Sequence, residues 1–519
     1  MHSSGNNYQA MLDSDSRRIA VIWKSAFVGI LAGSATVVYR ILLTKAESVS
    51  FAVYAYARMH PWVIPVVFAM LAGLGFVVGT LSGRYRAIGG SGIPQVKGTI
   101  LGYFKNGWRS TLVAKIAGGT LGILAGLSLG REGPSIQLGA CVAQGVGERL
   151  GDTRAERKIL MAAGASAGLA AAFNAPLAGV VFAMEEVFKY ISPLVLLSTM
   201  VSSILADLVA RAVFGSSPVF TFSANSSLPV QQYWMICALG VLLGLAGALY
   251  NSTLIGTQKI YKLLFKDIRV RMIVPFLIAG ILGLTFPYVL GGGHAALEHI
   301  TLSTGIWFLV LLFGSKFLFS MISFGSGAPG GIFFPLLIIG AVVGAIFGHV
   351  AASYWGLNPA LYDTIVILAM AGYFAAIVRA PLTGVVLLLE MTGSFANLLP
   401  LALIAIIAST VADILKSLPI YDALLENQLQ ELGIDDEPDE GKKITVEMVV
   451  HHGADADGKH IRELCLPAHC LLISIRREGK DILPRGDTLV RAGDYLIFLV
   501  NVCEEARDRE ILGALTAAA

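Results

Sequence analysis

Apolar runs of membrane-spanning length recur along most of the first 430 positions, from Ile19 to Leu43, Trp62 to Leu81, Ile236 to Leu254, Ile306 to Ile322 and Leu399 to Leu415. Each is long enough to cross about 30 Å of hydrocarbon as a helix. A water-soluble fold has no place for so many such segments. Charged residues make up 14% of the chain, against roughly 25% in an ordinary soluble domain, so a polytopic helical membrane protein is expected. The first fifteen residues are polar, and Arg17, Arg18 and Lys24 follow. No small-residue cleavage site follows a short apolar core, which argues against a cleaved leader, and the basic residues favour a cytoplasmic N-terminal segment, 1–15.

The formal net charge is only +3 and the basic residues are scattered, so no face is built for nucleic acid. The five cysteines, at 141, 237, 465, 470 and 503, are odd in number and irregularly spaced, and all are read as reduced. Asn225-Ser226-Ser227 matches a glycosylation sequon, a pattern too short to carry weight. His294 and His299 beside Gly291-Gly292-Gly293, and the group Cys465, His469 and Cys470, lack the paired spacing of a zinc site and read as surface loop residues. The run Gly118-Gly119-Thr120-Leu121-Gly122 opens no nucleotide-binding unit and no Walker sequence occurs, so ATP-driven pumping is unsupported. No metal, no cofactor and no enzymatic activity are expected.

The last membrane-like segment fades near Leu429, and an acidic stretch with Asp435-Asp436-Glu437-Pro438-Asp439-Glu440 follows. That is a linker composition. The expected organisation is therefore a transmembrane domain over 16–430, a linker over 431–443 and a small domain over 444–519. The last alternates like strands in Leu471-Leu472-Ile473-Ser474-Ile475 and Tyr495-Leu496-Ile497-Phe498-Leu499, with turns at Arg485-Gly486-Asp487 and Ala492-Gly493-Asp494.

The membrane region repeats itself about two hundred residues on. Ala163-Gly164 and the run from Ala171 through Ala175-Pro176-Leu177-Ala178-Gly179 return as Ala371-Gly372 and the run from Ala375 through Ala380-Pro381-Leu382-Thr383-Gly384, and Glu185 returns as Glu390. Gly133-Pro134 and Gly139 align with Phe334-Pro335 and Gly340, each 201 positions later. Two related halves, about 20–215 and 230–425, packed around a shared site would leave this trace.

Three motifs interrupt apolar sequence where broken backbone leaves amides without partners. They are Gly90-Ser91-Gly92-Ile93-Pro94, Gly130-Arg131-Glu132-Gly133-Pro134 and Gly330-Gly331-Ile332-Phe333-Phe334-Pro335. Each places glycine before a proline that begins a new apolar stretch, the signature of a helix start. Free N–H groups and about half a unit of positive charge at such ends attract an anion without a fixed cation. Any one motif alone is as well explained by a helix kink. Glu132 is an acid in apolar sequence, a placement costing about 2.5 to 3.5 kcal/mol on insertion scales, and a functional role is expected. A salt bridge with Arg131 is the plainer alternative, disfavoured because helix neighbours point apart.

Taken in order and spacing, the three motifs resemble the signatures of the CLC family of chloride channels and chloride/proton antiporters, over roughly residues 20 to 425. The resemblance implies that the Ser91 and Tyr421 hydroxyls and the backbone amides of Ile332 and Phe333 coordinate a central chloride, with Gly90, Gly92, Ile93, Pro94, Gly130, Arg131, Gly133, Pro134, Gly331 and Pro335 shaping the site. It implies that Glu132 is the external gating and proton-transfer acid, and that Glu186 is the internal one. Without the family pattern, Glu185-Glu186 would read as two solvated acids at a membrane boundary. Lys115 aligns with a buried basic residue of the family, tuning the potential of the path, or equally it snorkels to the surface. Nitrate-preferring plant relatives differ at the Ser91 position and fluoride exporters lack the serine motif, so chloride is favoured while bromide and nitrate stay open. Neutral donors also suit a monovalent anion that must be released.

From about 455 to 500 the tail resembles the TrkA-C (RCK-C) domain, through Gly458-Lys459-His460-Ile461-Arg462-Glu463-Leu464, Ile475-Arg476-Arg477, Leu483-Pro484-Arg485-Gly486-Asp487-Thr488 and Ala492-Gly493-Asp494-Tyr495-Leu496. That implies a small α/β regulatory unit, which either binds an unidentified small ligand or stabilises a dimer. The expected fold is an all-α polytopic membrane domain of two inverted repeats, with tilted and partial helices, followed by a small cytoplasmic α/β domain. The expected protein is a homodimer in the cell inner membrane, with both termini cytoplasmic and the lipid bilayer, chloride and protons as partners. Chloride/proton antiport leads; a passive chloride channel and a ligand sensor are the alternatives.

Overall fold

The computed structural model describes residues 4–151, 153–189, 192–216, 220, 228–433, 443–464, 466–467, 470–477, 480–501 and 505–517. The sequon at Asn225, the cysteines at 465 and 503, His469 and most of the acidic stretch lie outside these residues. Contacts divide the chain into two compact units, 1–425 and 426–519.

The first unit is helical. Its first eight helices are α1 (Ser4–Met59), α2 (Ile64–Arg84), α3 (Ile93–Leu101), α4 (Trp108–Leu124), α5 (Glu132–Leu150), α6 (Arg154–Phe173), α7 (Pro176–Phe182) and α8 (Pro193–Phe214). The next eight are α9 (Tyr233–Leu264), α10 (Ile268–Thr285), α11 (His294–Leu297), α12 (Ile306–Gly325), α13 (Phe333–Tyr354), α14 (Tyr362–Val378), α15 (Pro381–Thr392) and α16 (Leu398–Ile414), and α17 (Ile420–Glu431) follows. Among the described residues eight helices are long and apolar enough to cross a membrane. By contrast α3, α7 and α11, with 9, 7 and 4 residues, fall far short of the roughly 20 needed.

The expected span from Ile19 to Leu43 is part of a helix of 56 residues. No proline precedes Pro61, so nothing in this stretch stops helix propagation. The segment from Arg18 to Met59 is 42 residues long, at about 1.5 Å each far longer than a bilayer core is thick.

The helices repeat in order. Ile93 and His294 open α3 and α11, and Glu132 and Phe333 open α5 and α13, each pair 201 positions apart; Pro176 and Pro381 open α7 and α15, 205 apart. The halves join at an antiparallel bridge, with Gly130 N–H donating to the Gly331 carbonyl at 2.7 Å and Gly331 N–H to that of Gly130 at 2.8 Å. Because α5 and α13 leave this bridge in opposite senses, the repeat is inverted.

Lipid-facing and central helices differ sharply. The most apolar stretch of α14 is 94% buried within the protein and that of α2 only 28%. Near the centre α5 and α6 touch backbone to backbone: a Cβ added at Gly164 would lie 2.3 Å from the Gly139 carbonyl oxygen, and one at Gly168 would lie 2.1 Å from that of Ser135. Small residues allow this approach where lipid removes any hydrophobic drive between helices.

The second unit holds β1 (Lys443–Val449), β2 (Leu471–Arg477), β3 (Lys480–Ile482), β4 (Tyr495–Asn501) and α18 (Glu505–Thr516). The sheet is antiparallel in the order β1-β4-β2-β3. Val446, Ile475, Leu496, Phe498 and Leu512 form its core. Arg477 grips the buried Asp494 through two bonds of 2.7 Å. Burial pushes the Cys470 thiol up to about 11, so it is a protonated, poor metal ligand at neutral pH.

The tight crossing yields a first prediction. Gly164→Ala presses a Cβ into a backbone carbonyl that has no rotamer to escape through, and costs about 1 to 3 kcal/mol. Gly256→Ala, with nothing within 4 Å of the added atom, is neutral or stabilising. Thermal unfolding in detergent should show the first variant melting below the wild type and the second at or above it.

Candidate functional site

The three glycine-proline motifs meet at the middle of the inverted repeat. Gly90 N–H donates to the Gly327 carbonyl at 3.2 Å, and Gly330 N–H returns a bond to that of Gly90 at 3.0 Å. Gly92, at φ 97°, turns the chain into α3, a left-handed conformation that a side chain would strain. A Cβ at Gly133 would lie 2.4 Å from Ser91 Oγ, and one at Gly331 would lie 3.1 Å from the Gly133 nitrogen. Glycine therefore lets the starts of α3, α5 and α13 converge, as the sequence suggested. None of these three helices has a side-chain cap, so their first amides keep no intrahelical acceptor.

Ser91 and Tyr421 close this space, 2% and 0% exposed. Neither hydroxyl has a hydrogen-bond partner of ordinary length, although the two side chains interact with each other across the space, an arrangement costing about 1 to 3 kcal/mol per group unless a ligand completes it. Ile332 and Phe333 begin α13, and the Phe333 ring packs on Phe374 at 4.7 Å and Phe173 at 5.4 Å. The donor set is neutral and buried, which fits a monovalent anion.

Two other broken helices are treated differently. Glu390 accepts from the Leu177 and Ala178 amides at the start of α7, at 3.0 and 2.8 Å. Glu185 accepts from the Leu382 and Thr383 amides at the start of α15, at 3.2 and 2.8 Å. Each half thus caps the short helix of the other. The return of Glu185 as Glu390 was legible in the sequence, but its cause was not.

Glu132 is 1% exposed at the start of α5. Its carboxylate lies against the amides of Glu132 and Phe334, where an anion would sit at the start of α13. The expectation that Arg131 and Glu132 point apart is corrected: Arg131 Nε lies 3.8 Å from Glu132 Oε1. Arg131 is the residue before the helix, so helical geometry does not hold its side chain away, yet the contact is too long for a hydrogen bond. A cavity of about 30 Å³ adjoins Glu132, lined in part by Thr44, Glu47, Arg131, His294 and Phe334. His294 is consequently no surface loop residue. Gly293, at φ 109°, turns the chain into α11 as Gly92 does into α3, and the imidazole packs on Phe334 at 4.2 Å. His299 is exposed, as expected.

Glu186 is 2% exposed within a π-helical stretch, Ala183–Phe188, so the solvated reading does not hold for it. Its Oε1 pairs with Lys97 Nζ at 2.7 Å. Lys97 was missed in the sequence, although a lysine inside the short apolar α3 carried the same insertion cost as Glu132.

Lys115 is fully buried and does not snorkel. Its ammonium donates to the carbonyls of Ile88 and Gly90 at 2.8 and 2.7 Å. Lys316, 201 positions on and also missed, donates to Val289 and Gly291 at 2.8 and 2.9 Å. Both lysines pin the loop before a short helix.

Convergent helix starts without N-cap side chains, two buried hydroxyls and a carboxylate on the Glu132 and Phe334 amides are the features of a polytopic membrane protein built around its broken helices. The family described as voltage gated chloride channel matches residues 74–413, and the TrkA-C domain family matches residues 445–507. The H(+)/Cl(-) exchange transporter ClcA of Vibrio parahaemolyticus is 36% identical over 431 residues, 79% of this chain and 90% of that one. Its namesake from Klebsiella pneumoniae is 32% identical over 437 residues, 82% and 92%. The crystal structure of a slow cyanobacterial Cl-/H+ antiporter superposes with a TM-score of 0.75 at 31% identity, covering 80% of this chain and 99% of that one. A CLC-type fluoride/proton antiporter shares the fold, with a TM-score of 0.63 at 22% identity. The chain belongs to the voltage-gated chloride channel, or CLC, family.

The reciprocal caps give a second prediction. Glu185→Ala and Glu390→Ala each expose two helix-start amides and cost about 1 to 2 kcal/mol. Both should lower the thermal midpoint in detergent by similar amounts, and unequal losses would show that the two halves are not held alike.

Proposed function

We propose that the protein is a secondary transporter that exchanges chloride for protons. The observation that carries this reading is the meeting of three uncapped helix starts with the buried hydroxyls of Ser91 and Tyr421. Chloride is held there by both hydroxyls and by the Ile332 and Phe333 amides, without a cation that would trap it. Bromide and nitrate fit the same donors. Gly90, Gly92, Ile93, Pro94, Gly130, Arg131, Gly133, Pro134, Gly331 and Pro335 set the backbone, and Lys115 fixes the loop that carries Ser91.

Glu132 competes with the anion at the start of α13, its carboxylate lying on the Phe334 amide beside the Ile332 and Phe333 amides that hold chloride. Ionised, it occupies the path; protonated, it leaves, and chloride takes its place. Glu186 accepts protons from the interior, and Tyr421 lies within electrostatic reach of both acids. One carboxylate that excludes chloride and carries a proton couples the two fluxes by mutual exclusion. The relatives' printed activity, H(+)/Cl(-) exchange, supports this over passive conduction. We further propose a homodimer with one pathway per subunit in the cell inner membrane, both termini cytoplasmic, with 444–519 as a regulatory unit.

Proteoliposomes under a chloride gradient test this. Wild type should drive protons uphill, while Glu132→Gln and Glu186→Gln should pass chloride with no proton movement. Chloride flux without proton movement in the wild type would instead mean a channel.

A further inference from the structure

Glu186 stands at the buried end of a chain of four charges. Lys97 Nζ lies 2.7 Å from Glu186 Oε1 and also donates to Asp422 Oδ1. Asp422 Oδ2 in turn accepts from Lys189 Nζ at 2.7 Å. Side-chain exposure climbs along the chain: 2% at Glu186, 4% at Lys97, 25% at Asp422 and 51% at Lys189. The titratable groups facing Glu186 are Lys97 from α3, Tyr421 and Asp422 from α17, and Lys189 from the end of its own segment. With Glu186 ionised, two cations match two carboxylates.

The two middle members tie this chain to the residues of the proposed anion site. Lys97 lies on the helix that begins just after Ser91, and Asp422 directly follows Tyr421. When Glu186 takes a proton it stops being an ionic partner, and the ammonium must be satisfied by Asp422 alone. Lys97 sits between the two carboxylates, so the transfer needs only a small movement of one flexible side chain.

We propose that Lys97 is a positioning residue for proton transfer: it holds Glu186 ionised and aimed at the interior, and hands its ammonium to Asp422 each time Glu186 is protonated. This rests on the assignment of Glu186 as the internal proton acceptor. The electrostatics fix the signs. Removing the cation favours the neutral acid, so proton-coupled transport needs a higher pH. Removing Asp422 leaves the whole ammonium to Glu186, favours the ionised acid and moves the profile to lower pH.

The test is the proton-to-chloride flux ratio of reconstituted full-length protein as a function of internal pH, for wild type, Lys97→Met, Lys97→Arg, Asp422→Asn and Glu186→Gln. Lys97→Met should move the midpoint of the profile upward by about one to three pH units, the effect of a close opposite charge. Lys97→Arg should restore it toward wild type, and Asp422→Asn should move it downward. Lost packing alone would depress both fluxes without moving the midpoint. Should Lys97→Met fail to fold, Asp422→Asn decides: an acid shift supports the handover, and no shift or an alkaline one overturns it. Unmoved midpoints in every variant overturn it as well. Proton pumping that survives Glu186→Gln would remove the assignment of Glu186 itself, a different failure from an unshifted Lys97→Met.

Discussion

A peptide N–H inside hydrocarbon needs an acceptor, and water is not there to supply one. This chain breaks its helices inside the buried body of the membrane domain and must answer that demand at each break. At α7 and α15 it does so with carboxylates from the opposite half. At Gly130 and Gly331 two glycines satisfy each other across the inverted repeat. At the starts of α3, α5 and α13 the residue before the helix provides no side-chain cap, and Glu132 lies on only the Glu132 and Phe334 amides. The amides left open at those three ends are the ones the proposed anion would meet.

Buried charge is handled with the same economy. The ammonium groups of Lys115 and Lys316 are spent on loop carbonyls. Arg40 is spent on the Ala171 carbonyl and Asn174, and Arg379 on the carbonyls of Ser409 and Ser417. Each of these cations holds backbone in place. Glu132 differs, because its nearest cation lies 3.8 Å away and it draws on both that charge and the amides of Glu132 and Phe334. Glu186 differs too, since its partner Lys97 is shared with a second carboxylate.

The sequence made the repeat, the helix starts and the site motifs legible because all three are local: glycine before proline at a fixed spacing states a backbone geometry. It made Glu132 conspicuous by its cost in apolar surroundings. What stayed hidden depends on which residues meet after folding. Glu185 and Glu390 were visible as equivalents, but only the crossing of α7 and α15 reveals that each caps the other's neighbour. Lys97 carried the same warning as Glu132 and was passed over, since its partners lie 89 and 325 positions away. His294 was misjudged because a histidine after three glycines looks like a loop until the repeat aligns it with the start of α3. The strand alternation of the tail, again local, matched β2 and β4 directly.

In the proposed mechanism the substrate anion rests on helix-start amides and two hydroxyls. Crystals of the protein grown in bromide, with diffraction recorded at the bromine absorption edge, test it most directly. An anomalous peak is expected within hydrogen-bonding distance of Ser91 Oγ, the Tyr421 hydroxyl and the first amides of α13, with weakened density there in Tyr421→Phe. Bromide found only at exposed lysines and arginines, with none where α3, α5 and α13 meet, would contradict it.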